Sequence, residues 1–488
     1  MSYGLSKSKF MTGLQCRNLL WWKVHEPDAQ EWVSDRVALD RMEQGNVVGA
    51  LAREEFPGGV LIDRPYEQFR QKIADTRAAL DAGAPAIFEA SFSEDGVFVA
   101  VDVLERTEDG FQLIEVKSST RLDEDKHVPD AAVQLHVLRA AGIPVRRVEL
   151  MHLNKEHRRP DVGPLFVRDD ITAVVHALLP GIPDEIAAMR EMLDGEFPDL
   201  PFGLQCADIR DCAFRGRCWP TERDHILTLH GKGVKKALPL MEAGIESVLD
   251  IPDDLKLSAV AGRQVRAVRA DELVLEPGLR QALDNLKAPL GFLDFETISR
   301  ALPPWDGIGP WNALPVQFSY HELQPDGSYT HVEWLADGPE DPCEPLARAL
   351  VEACRGAKQV LMYTSFERTQ IDTLIRLVPD LASELEELKG RLFDLWRIVK
   401  AYVYHPDFQG SLGIKAVLPA LVPDLGYNDL AIQEGMDASV EIARMLLRPE
   451  TFEPGERDQL RRDLLSYCEM DTWAMVKLLE RMRELAGR

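Results

Sequence analysis

The chain has 488 residues, 45% of them hydrophobic, and a formal net charge of −25 at pH 7. This length predicts two or three domains with packed cores, and the acidic charge excludes a general nucleic-acid coat, which would be basic. A nucleic-acid enzyme is not excluded, because acidic metal sites elsewhere in a chain can outweigh a local basic groove.

No apolar stretch reaches the length of a membrane span, and the first residues lack the apolar core of a signal peptide. We therefore expect a cytoplasmic protein with no membrane partner. In the cytosol, seven cysteines are poor candidates for disulfides and are better explained as metal ligands, reactive thiols or core residues.

The first predicted elements are helices. Apolar spacing predicts a helix over residues 5–22, with Ser6 or Ser8 as its N-cap. Similar spacing predicts helices over residues 31–56 and 66–80. Glycine and proline follow both of these stretches and are expected to end the helices.

Three strands are predicted next, over residues 86–92, 97–104 and 111–117. The last two are joined by a turn that ends at Gly110, and they form a hairpin. Glu89 in the first strand is either a further acid near a metal or a charge at the strand edge.

The hairpin carries the first set of candidate catalytic side chains. Asp102 lies on its first strand, and Glu115 and Lys117 share one face of its second strand, because alternate residues of a strand point the same way. Two carboxylates at a hairpin mouth can hold a hard divalent cation, and a neighbouring lysine can hold a water or steady charge on phosphate. A surface salt bridge between Glu115 and Lys117 is the simpler alternative.

A helix over residues 126–138 and a strand over residues 145–154 follow the hairpin. The helix carries Gln134 one turn beyond Asp130. Together with the hairpin, these elements predict a small mixed α/β core.

Asp102, the Glu115-Val-Lys117 triplet and the helical Gln134 resemble the PD-(D/E)XK nuclease fold in its RecB-like branch. The resemblance implies that the acids hold Mg²⁺ or Mn²⁺, that the lysine assists the attacking water and that the glutamine lies at the same site. Many relatives carry a histidine near the first helices, whereas this chain has the glycine-containing stretch 45–49 there.

Three cysteines follow this core at a C-x5-C-x5-C spacing, and Cys16 precedes it. The three are Cys206, Cys212 and Cys218. Four thiolates suit iron–sulfur or zinc on chemistry alone, but zinc ribbons use paired C-x2-C knuckles. The layout resembles the iron–sulfur staple of RecB-like nucleases of the AddB and CRISPR-adaptation type, which implies a [4Fe-4S] cluster that closes a long loop. The other cysteines are interpreted as core thiols: Cys343, Cys354 and Cys468.

A helical connector is predicted over residues 223–288. Its glycine-rich start resembles a helix-hairpin-helix, in which backbone amides hold a phosphate and nearby lysines add charge. A solvated pair of linker helices is an equally good interpretation. The lysines are Lys232, Lys235 and Lys236.

A second group of acids is predicted around an apolar strand that carries Asp294 and Glu296 on one face. Near the C-terminus, Tyr467 and Asp471 are four residues apart and share a helix face. Between these two segments, a strand enters a helix at Glu367. This order resembles the DEDD exonucleases of the RNase H-like fold.

The resemblance implies that four carboxylates clamp two Mg²⁺ ions and that Tyr467 orients the water that attacks the terminal phosphate. Carried over to this chain, the ligands are Asp294, Glu296, Glu367 and Asp471. The middle motif departs from the family, because Glu367 replaces the usual aspartate and Thr364 stands where asparagine is common. Asp394 is the substitute ligand if Glu367 is merely structural. In a later loop, Ser411 and Lys415 either touch substrate phosphate or belong to a helix start that Ser411 caps.

The sequence as a whole predicts an α/β protein in three parts. These are a PD-(D/E)XK core with an iron–sulfur staple over 1–222, the connector over 223–288, and an RNase H-like exonuclease over 289–488. The order resembles a bacterial family that joins this C-terminal domain to a RecB-like half. We expect a metal-dependent nuclease with two hydrolytic sites that acts on single-stranded DNA or DNA with free ends, in processing, repair or defence. The alternatives are an RNA-processing exonuclease, a nucleic-acid-binding scaffold with one inactive site, and a redox or sensing protein that works through its cluster.

Overall fold

The chain forms two compact units, each of which combines helices with a mixed β-sheet. This mixed α/β composition is the fold class that the sequence predicts. The computed structural model describes residues 4–160, 162–207, 212–427 and 429–487. The units are Met1–Cys218 with Arg300–Asn312, and Trp219–Ser299 with Ala313–Arg488. Within the described ranges, no helix has both the length and the apolar character that crossing a membrane requires.

The first unit contains a seven-stranded sheet of order β2-β3-β4-β5-β6-β7, with β1 paired to β4. Its strands are β1 (Leu5–Ser6), β2 (Val60–Leu61), β3 (Ala86–Glu94), β4 (Val97–Thr107), β5 (Gly110–Lys117), β6 (Val145–Leu153) and β7 (Phe166–Asp170). Its helices are α1 (Lys7–Gln15), α2 (Arg17–His25), α3 (Arg36–Glu54), α4 (Phe69–Asp81), α5 (Glu124–Ala140), α6 (Thr172–Leu178), α7 (Ile182–Asp194) and α8 (Arg215–Cys218). Residues of the strands and of α5, chiefly valine and leucine, form most of the core.

The pairing of β4 leaves a gap in this sheet. β5 pairs with β4 from Val103 to Thr107, whereas β1 pairs with it at Val97 and Phe98. Asp102 lies between these two paired stretches. Neighbouring backbone amides must therefore find side-chain partners there, and this gap positions the first candidate site.

The segment Arg300–Asn312 belongs to the first unit. Arg300 Nη1 lies 2.7 Å from Asp40 Oδ1, and Trp311 Nε1 donates a hydrogen bond to the carbonyl oxygen of Ser118 at 2.5 Å. Trp311 therefore braces the chain directly after β5.

The second unit contains a five-stranded sheet of order β11-β10-β9-β12-β13 and a two-stranded sheet of β14 and β8. Its strands are β8 (Val274–Leu275), β9 (Leu290–Ile298), β10 (Leu314–Leu323), β11 (Tyr329–Leu335), β12 (Gln359–Met362), β13 (Leu392–Asp394) and β14 (Val403–Tyr404). The connector helices, which belong to this unit, are α9 (Gly233–Glu242), α10 (Ala259–Ala270) and α11 (Leu279–Asp284). The later helices are α12 (Cys343–Ala353), α13 (Phe366–Leu377), α14 (Ala382–Arg391), α15 (Trp396–Tyr402), α16 (Ile414–Leu421), α17 (Gly435–Leu447) and α18 (Glu456–Gly487).

The long helix α18 packs across β9 and β10. Gln317 Nε2 donates to the carbonyl oxygen of Leu464 at 2.9 Å, and Ser319 Oγ lies 2.8 Å from Thr472 Oγ1. In the sheet, Ser319 is opposite Asp294. Because paired residues share a face, α18 covers the face of β9 that carries the acids.

The helix boundaries of the first unit differ from those expected. The helix predicted over residues 5–22 is two helices, because Cys16 between them is extended, with φ −161° and ψ 128°. Ser6 is the N-cap of the first, and its side chain accepts from the N–H of Lys9. The other two predicted helices begin later, at Arg36 and Phe69.

Candidate active sites

The first candidate site lies where β5 separates from β4. Asp102 Oδ2 accepts a hydrogen bond from the backbone N–H of Val116 at 2.7 Å. Glu115, the residue before Val116, is 0% exposed. The two strand acids predicted from the sequence are therefore brought together at the gap in the sheet.

Glu115 is surrounded by hydrogen-bond donors. Lys7 Nζ and Lys117 Nζ lie 3.0 Å and 2.5 Å from Glu115 Oε1, and Gln134 Nε2 donates to Oε2 at 2.7 Å. Asp130 accepts from Lys117 at 2.8 Å and lies 3.4 Å from Lys7. The result is a cluster of two buried carboxylates, one buried amide and two partly exposed ammonium groups.

The sequence does not single out Lys7 or Asp130 as site residues. Asp130 has one available signal, because its i, i+4 spacing to Gln134 places both on one face of α5. Lys7 has no local signal. It reaches the site because β1, directly before it, pairs with β4 beside the gap.

The two strand acids differ in their electrostatics. Burial and the charge of Glu115 raise the pKa of Asp102 to about 7. Burial also opposes the ionisation of Glu115, but Lys117 and Lys7 outweigh it and hold the pKa of Glu115 well below its usual range. Asp102 is therefore the carboxyl that a bound cation would convert to its ionised form.

A cavity of about 420 Å³ opens beside Asp102, within the size range of ligand sites. Gly45 and Gly49 of α3 line it, and a Cβ at either position would meet nothing within 4 Å. Glu89, which has a φ of 57°, lines it as well. Glu89 and Asp102 are both unpaired in the ladder between β3 and β4, although its register is the same on either side of them. Three cationic residues also line the cavity: Arg53, Arg64 and Lys72.

The four cysteines predicted to hold a cluster share one neighbourhood. Cys16 lies between α1 and α2, and Cys218 ends α8. Burial, followed by the charges of Cys16, Cys206 and Cys212, raises the pKa of Cys218, an effect that requires the sulfurs to be close. Buried apolar residues pack around them: Leu19, Trp22 and Phe214.

The spacing of these sulfurs bears on the kind of metal group that fits. In a tetrahedral zinc site, Zn–S bonds of about 2.3 Å bring the sulfurs to within roughly 4 Å of one another. Among the described residues, the sets of three or more possible metal ligands whose atoms all lie within 4.8 Å do not include these cysteines. The described sulfurs are therefore not at the spacing of a bound zinc ion.

The second candidate site lies on the sheet face beneath α18. Asp294 and Glu296 extend from β9 and Asp471 from α18, and oxygens of all three lie within 4.8 Å of one another. Cys468, a buried thiol as expected, has its Sγ 3.8 Å from Asp294 Oδ2. Three carboxylates at this spacing can hold a hard divalent cation.

Glu367 enters the same site from α13. It is 2% exposed and hydrogen-bonded to Asp294. Within the described part of the chain, its Oε2 has no hydrogen-bond partner. A buried carboxylate oxygen without a partner is costly, and a cation in this position satisfies it.

Asp394, the alternative ligand, is engaged differently. Its Oδ1 accepts from the N–H groups of Thr364 and Trp396, both at 3.0 Å. Thr364 has a φ of 80°, which is unfavourable for a β-branched residue. Asp394 therefore holds the strained turn between β12 and α13 and so positions Glu367.

Two tyrosines contact Asp471. The hydroxyl of Tyr427 donates to Asp471 Oδ1 at 2.6 Å, and the hydroxyl of Tyr467 also hydrogen-bonds to Asp471. Lys415 Nζ lies 5.3 Å and 5.4 Å from the centres of the two rings. Tyr427 is not singled out by the sequence, because it lies in a loop with no fixed spacing to the acids.

Ser411 and Lys415 have separate roles. The N-cap of α16 is Gly413, not Ser411, whose hydroxyl accepts from the N–H of Gly413 at 3.2 Å. Lys415 Nζ pairs with Glu434 at 2.9 Å and favours ionisation of Asp471. Lys415 therefore borders the carboxylate site, whereas Ser411 shapes the loop before the helix.

Crowding raises the pKa values of the carboxylates. Burial, followed by the charges of the other three, holds the pKa of Asp294 well above its usual range. Burial and then Asp471 act in the same direction on the pKa of Glu296. Burial also raises the pKa of Glu367 to about 8 and that of Asp471 to about 6. At neutral pH, the four groups cannot all be ionised without a compensating cation.

The connector lysines border a separate cavity of about 450 Å³. Lys232 and Lys236 line it together with Lys400, and Ser258, the N-cap of α10, lines it as well. Lys235 is not part of its wall. Helix-terminal amides flanked by lysines can hold a phosphate.

Comparison with known proteins gives one match to a family. The family described as a domain of unknown function, DUF2779, matches residues 291–413. The matched stretch contains Glu296, Glu367 and Asp394 but ends before Asp471. No curated protein matches the chain.

Proposed function

We propose that this protein is a metal-dependent nuclease with two phosphodiester-hydrolysing sites. The first site belongs to a PD-(D/E)XK fold of the RecB-like type, and the second to an RNase H-like DEDD exonuclease with 3′→5′ polarity. The substrate is DNA that is single-stranded or has free ends. The observation that carries the proposal is the convergence of four carboxylates from β9, α13 and α18, two of them buried (Glu296 and Glu367) and two half-buried (Asp294 and Asp471).

In the second site, these four carboxylates would hold Mg²⁺ or Mn²⁺. Their raised pKa values and the unpartnered Oε2 of Glu367 support this assignment, because a cation relieves both. When bound, the ions supply an activated water and neutralise charge on the phosphate. Tyr467, held against Asp471, orients the attacking water, and Lys415 adds positive charge beside the substrate.

In the first site, Asp102 and Glu115 would hold the metal ion. Lys117 orients the attacking water, and Gln134 fixes the carboxylate of Glu115 through its 2.7 Å hydrogen bond. The three cationic residues that line the cavity beside Asp102 support contact with a sugar-phosphate strand, once a metal ion offsets the acids of the same wall, Asp63, Glu89 and Asp102.

A [4Fe-4S] cluster would be held by Cys16, Cys206, Cys212 and Cys218. The half-buried thiols and the aromatic packing around them support this assignment. Its contribution is structural, since it would tie α1 and α2 to the end of the first unit and so close a long loop.

A second candidate function is a nuclease with one working site, in which the first unit binds DNA without cleaving it. The contacts of Glu115 favour this candidate, because Lys7, Lys117 and Gln134 already occupy both of its carboxylate oxygens. A metal ion must compete with these donors.

Digestion of end-labelled single- and double-stranded DNA by the full-length protein, with Mg²⁺ or Mn²⁺, tests the proposal. Lys117→Ala and Asp294→Ala, made separately, should each remove a different set of products, whereas Lys155→Ala and Glu333→Ala at exposed positions should change nothing. If neither site variant alters cleavage, both catalytic assignments are wrong. If only Asp294→Ala abolishes cleavage of the DNA, the one-site candidate is favoured. Faster cleavage of a matched RNA would assign RNA as the substrate.

A further inference from the structure

A second group of possible metal ligands lies in the second unit and shares no residue with the carboxylate site. Nitrogens of His321 and His331 and a carboxylate oxygen of Glu469 lie within 4.8 Å of one another. His321 on β10 and His331 on β11 are directly opposite in the antiparallel ladder, and Glu469 comes from α18. Three elements thus contribute one ligand each.

The hydrogen bonds of His321 fix the orientation of its ring. Its Nδ1 lies 2.9 Å from Thr472 Oγ1, and that hydroxyl donates in turn to the carbonyl oxygen of Glu469 at 2.9 Å. Because the hydroxyl proton is used, Thr472 accepts the proton of Nδ1. This network assigns a lone pair to Nε2 of His321, the arrangement that second-shell partners impose on metal-binding histidines.

By the same argument, Ser319 donates to Thr472 and accepts the proton of His331 Nε2, which leaves the lone pair of His331 on Nδ1. The two imidazole rings are stacked, with centroids 4.4 Å apart and planes 22° apart, so the ring of His331 has to turn before both lone pairs point at one ion. His331 Nε2 lies 3.0 Å from Ser319 Oγ, which is 2.8 Å from Thr472 Oγ1. His331 Nδ1 lies 3.7 Å from Glu469 Oε1, too far for a hydrogen bond. Bonds of about 2.0–2.2 Å place two ligand atoms of a tetrahedral ion roughly 3.4 Å apart, so this pair is nearly at the spacing of metal ligands.

The position is also suited to an ion with an exchangeable ligand. His321 is 5% exposed. A cavity of about 580 Å³ opens at the cluster and is lined by all three ligands together with Tyr329 and Trp473. A fourth coordination position would therefore face open space.

We propose that His321, His331 and Glu469 form a transition-metal site of the Zn²⁺ class, with an open fourth position that faces this cavity. Two imidazoles and one carboxylate suit Zn²⁺, whereas Mg²⁺ prefers oxygen ligands alone. The second unit then carries two centres with different metal preferences. Because Glu469 lies on α18, an ion here also fastens α18 to β10 and β11.

Co²⁺ titration of the full-length protein tests the site. The protein is loaded with its cluster and then treated with chelator. In excess Mg²⁺, which fills the two carboxylate sites, wild type should bind one further equivalent of Co²⁺. This Co²⁺ should show visible d–d absorption without additional near-ultraviolet bands of thiolate ligation, which separates the site from the cysteines. His331→Gln and Glu469→Gln should each weaken Co²⁺ binding at least about ten-fold. Asp294→Asn and His405→Gln should leave the titration unchanged.

Glu469→Gln keeps the test decisive if His331→Gln fails to fold, because the Glu469 side chain is 48% exposed. Zn²⁺ should raise the melting temperature of wild type more than that of Glu469→Gln, since an ion that binds the folded state stabilises it. Equal Co²⁺ affinity and an equal thermal shift for wild type and Glu469→Gln overturn the proposal. Loss of the Co²⁺ spectrum in Asp294→Asn overturns it as well, because the ion would then occupy the carboxylate site.

Discussion

Lys7 Nζ lies 3.0 Å from Glu115 Oε1, although the two residues are 108 positions apart in the sequence. The contact forms because the two-residue strand β1 pairs with β4 beside the gap that holds Asp102. Lys7 and Lys117 together offset the repulsion among Asp102, Glu115 and Asp130. The first site is thus held together by a residue at the beginning of the chain.

Lys7→Ala should lower the free energy of unfolding of the metal-free protein by about 2 kcal/mol. Its removal leaves the buried Glu115 with one cationic partner instead of two, and an uncompensated buried charge is costly, although Lys117 limits the loss. Urea denaturation followed by circular dichroism measures the effect. Lys9→Ala on the same helix is the matched control, and equal stability of the two variants would show that the Lys7 contact does not stabilise the fold.

The sequence predicts those site residues that occupy regular positions on strands and helices. Asp102, Glu115 and Lys117 follow from a hairpin with a spacing of two, and Gln134 from the helix after it. Lys7 depends on a strand pairing that connects distant segments, which no local pattern encodes.

Loops and strained turns account for the other omissions in the second site. Tyr427 reaches Asp471 from a loop before α17, where no periodicity fixes the direction of a side chain. The sequence also does not show which of two acids enters the carboxylate site, Glu367, and which one accepts backbone hydrogen bonds, Asp394. This difference depends on the turn at Thr364, whose left-handed backbone conformation uses Asp394 as an acceptor.

Without divalent cations, stability should fall as the pH rises from about 4 to about 8. In the folded protein, the pKa values are about 7 for Asp102, about 6 for Asp471 and about 8 for Glu367, all above the roughly 4 of an unfolded chain. Over this interval the folded state retains protons that the unfolded state has lost, so the free energy of unfolding decreases with pH.

Urea midpoints measured in a chelating buffer across this range test the pH dependence. Saturating Mg²⁺ should flatten or reverse the trend, because the ions bind the ionised carboxylates. A midpoint that rises with pH in the absence of metal would contradict the assigned direction of the pKa shifts.

The two tyrosines at Asp471 should affect different kinetic parameters. Tyr427→Phe removes the hydrogen bond to Asp471 Oδ1 that favours the ionised carboxylate, so the Mg²⁺ concentration for half-maximal exonuclease rate should rise while kcat changes little. Tyr467→Phe should lower kcat by about 10²-fold, because it removes the group proposed to orient water, with a smaller effect on the Mg²⁺ requirement. Rates on a 3′-labelled oligonucleotide across a Mg²⁺ series separate the two effects. If both variants change the same parameter equally, the two hydroxyls do not have distinct roles.

Cys212→Ser should yield protein that lacks the brown colour and the iron of the wild type, whereas Cys343→Ser, at a buried thiol outside the group, should retain both. Loss of a structural metal group costs several kcal/mol of folding free energy in small domains, so a lower melting temperature should accompany the loss of iron.

Because α1 runs from Lys7 to the residue before Cys16, loosening the cysteine group should also displace Lys7 and lower cleavage that depends on Lys117. Cleavage that depends on Asp294 should persist, since none of its ligands lies in the first unit. Stoichiometric zinc in place of iron in the wild type would contradict the assignment of an iron–sulfur cluster. Equal loss of both cleavage activities in Cys212→Ser would contradict the expectation that the variant affects only the first site.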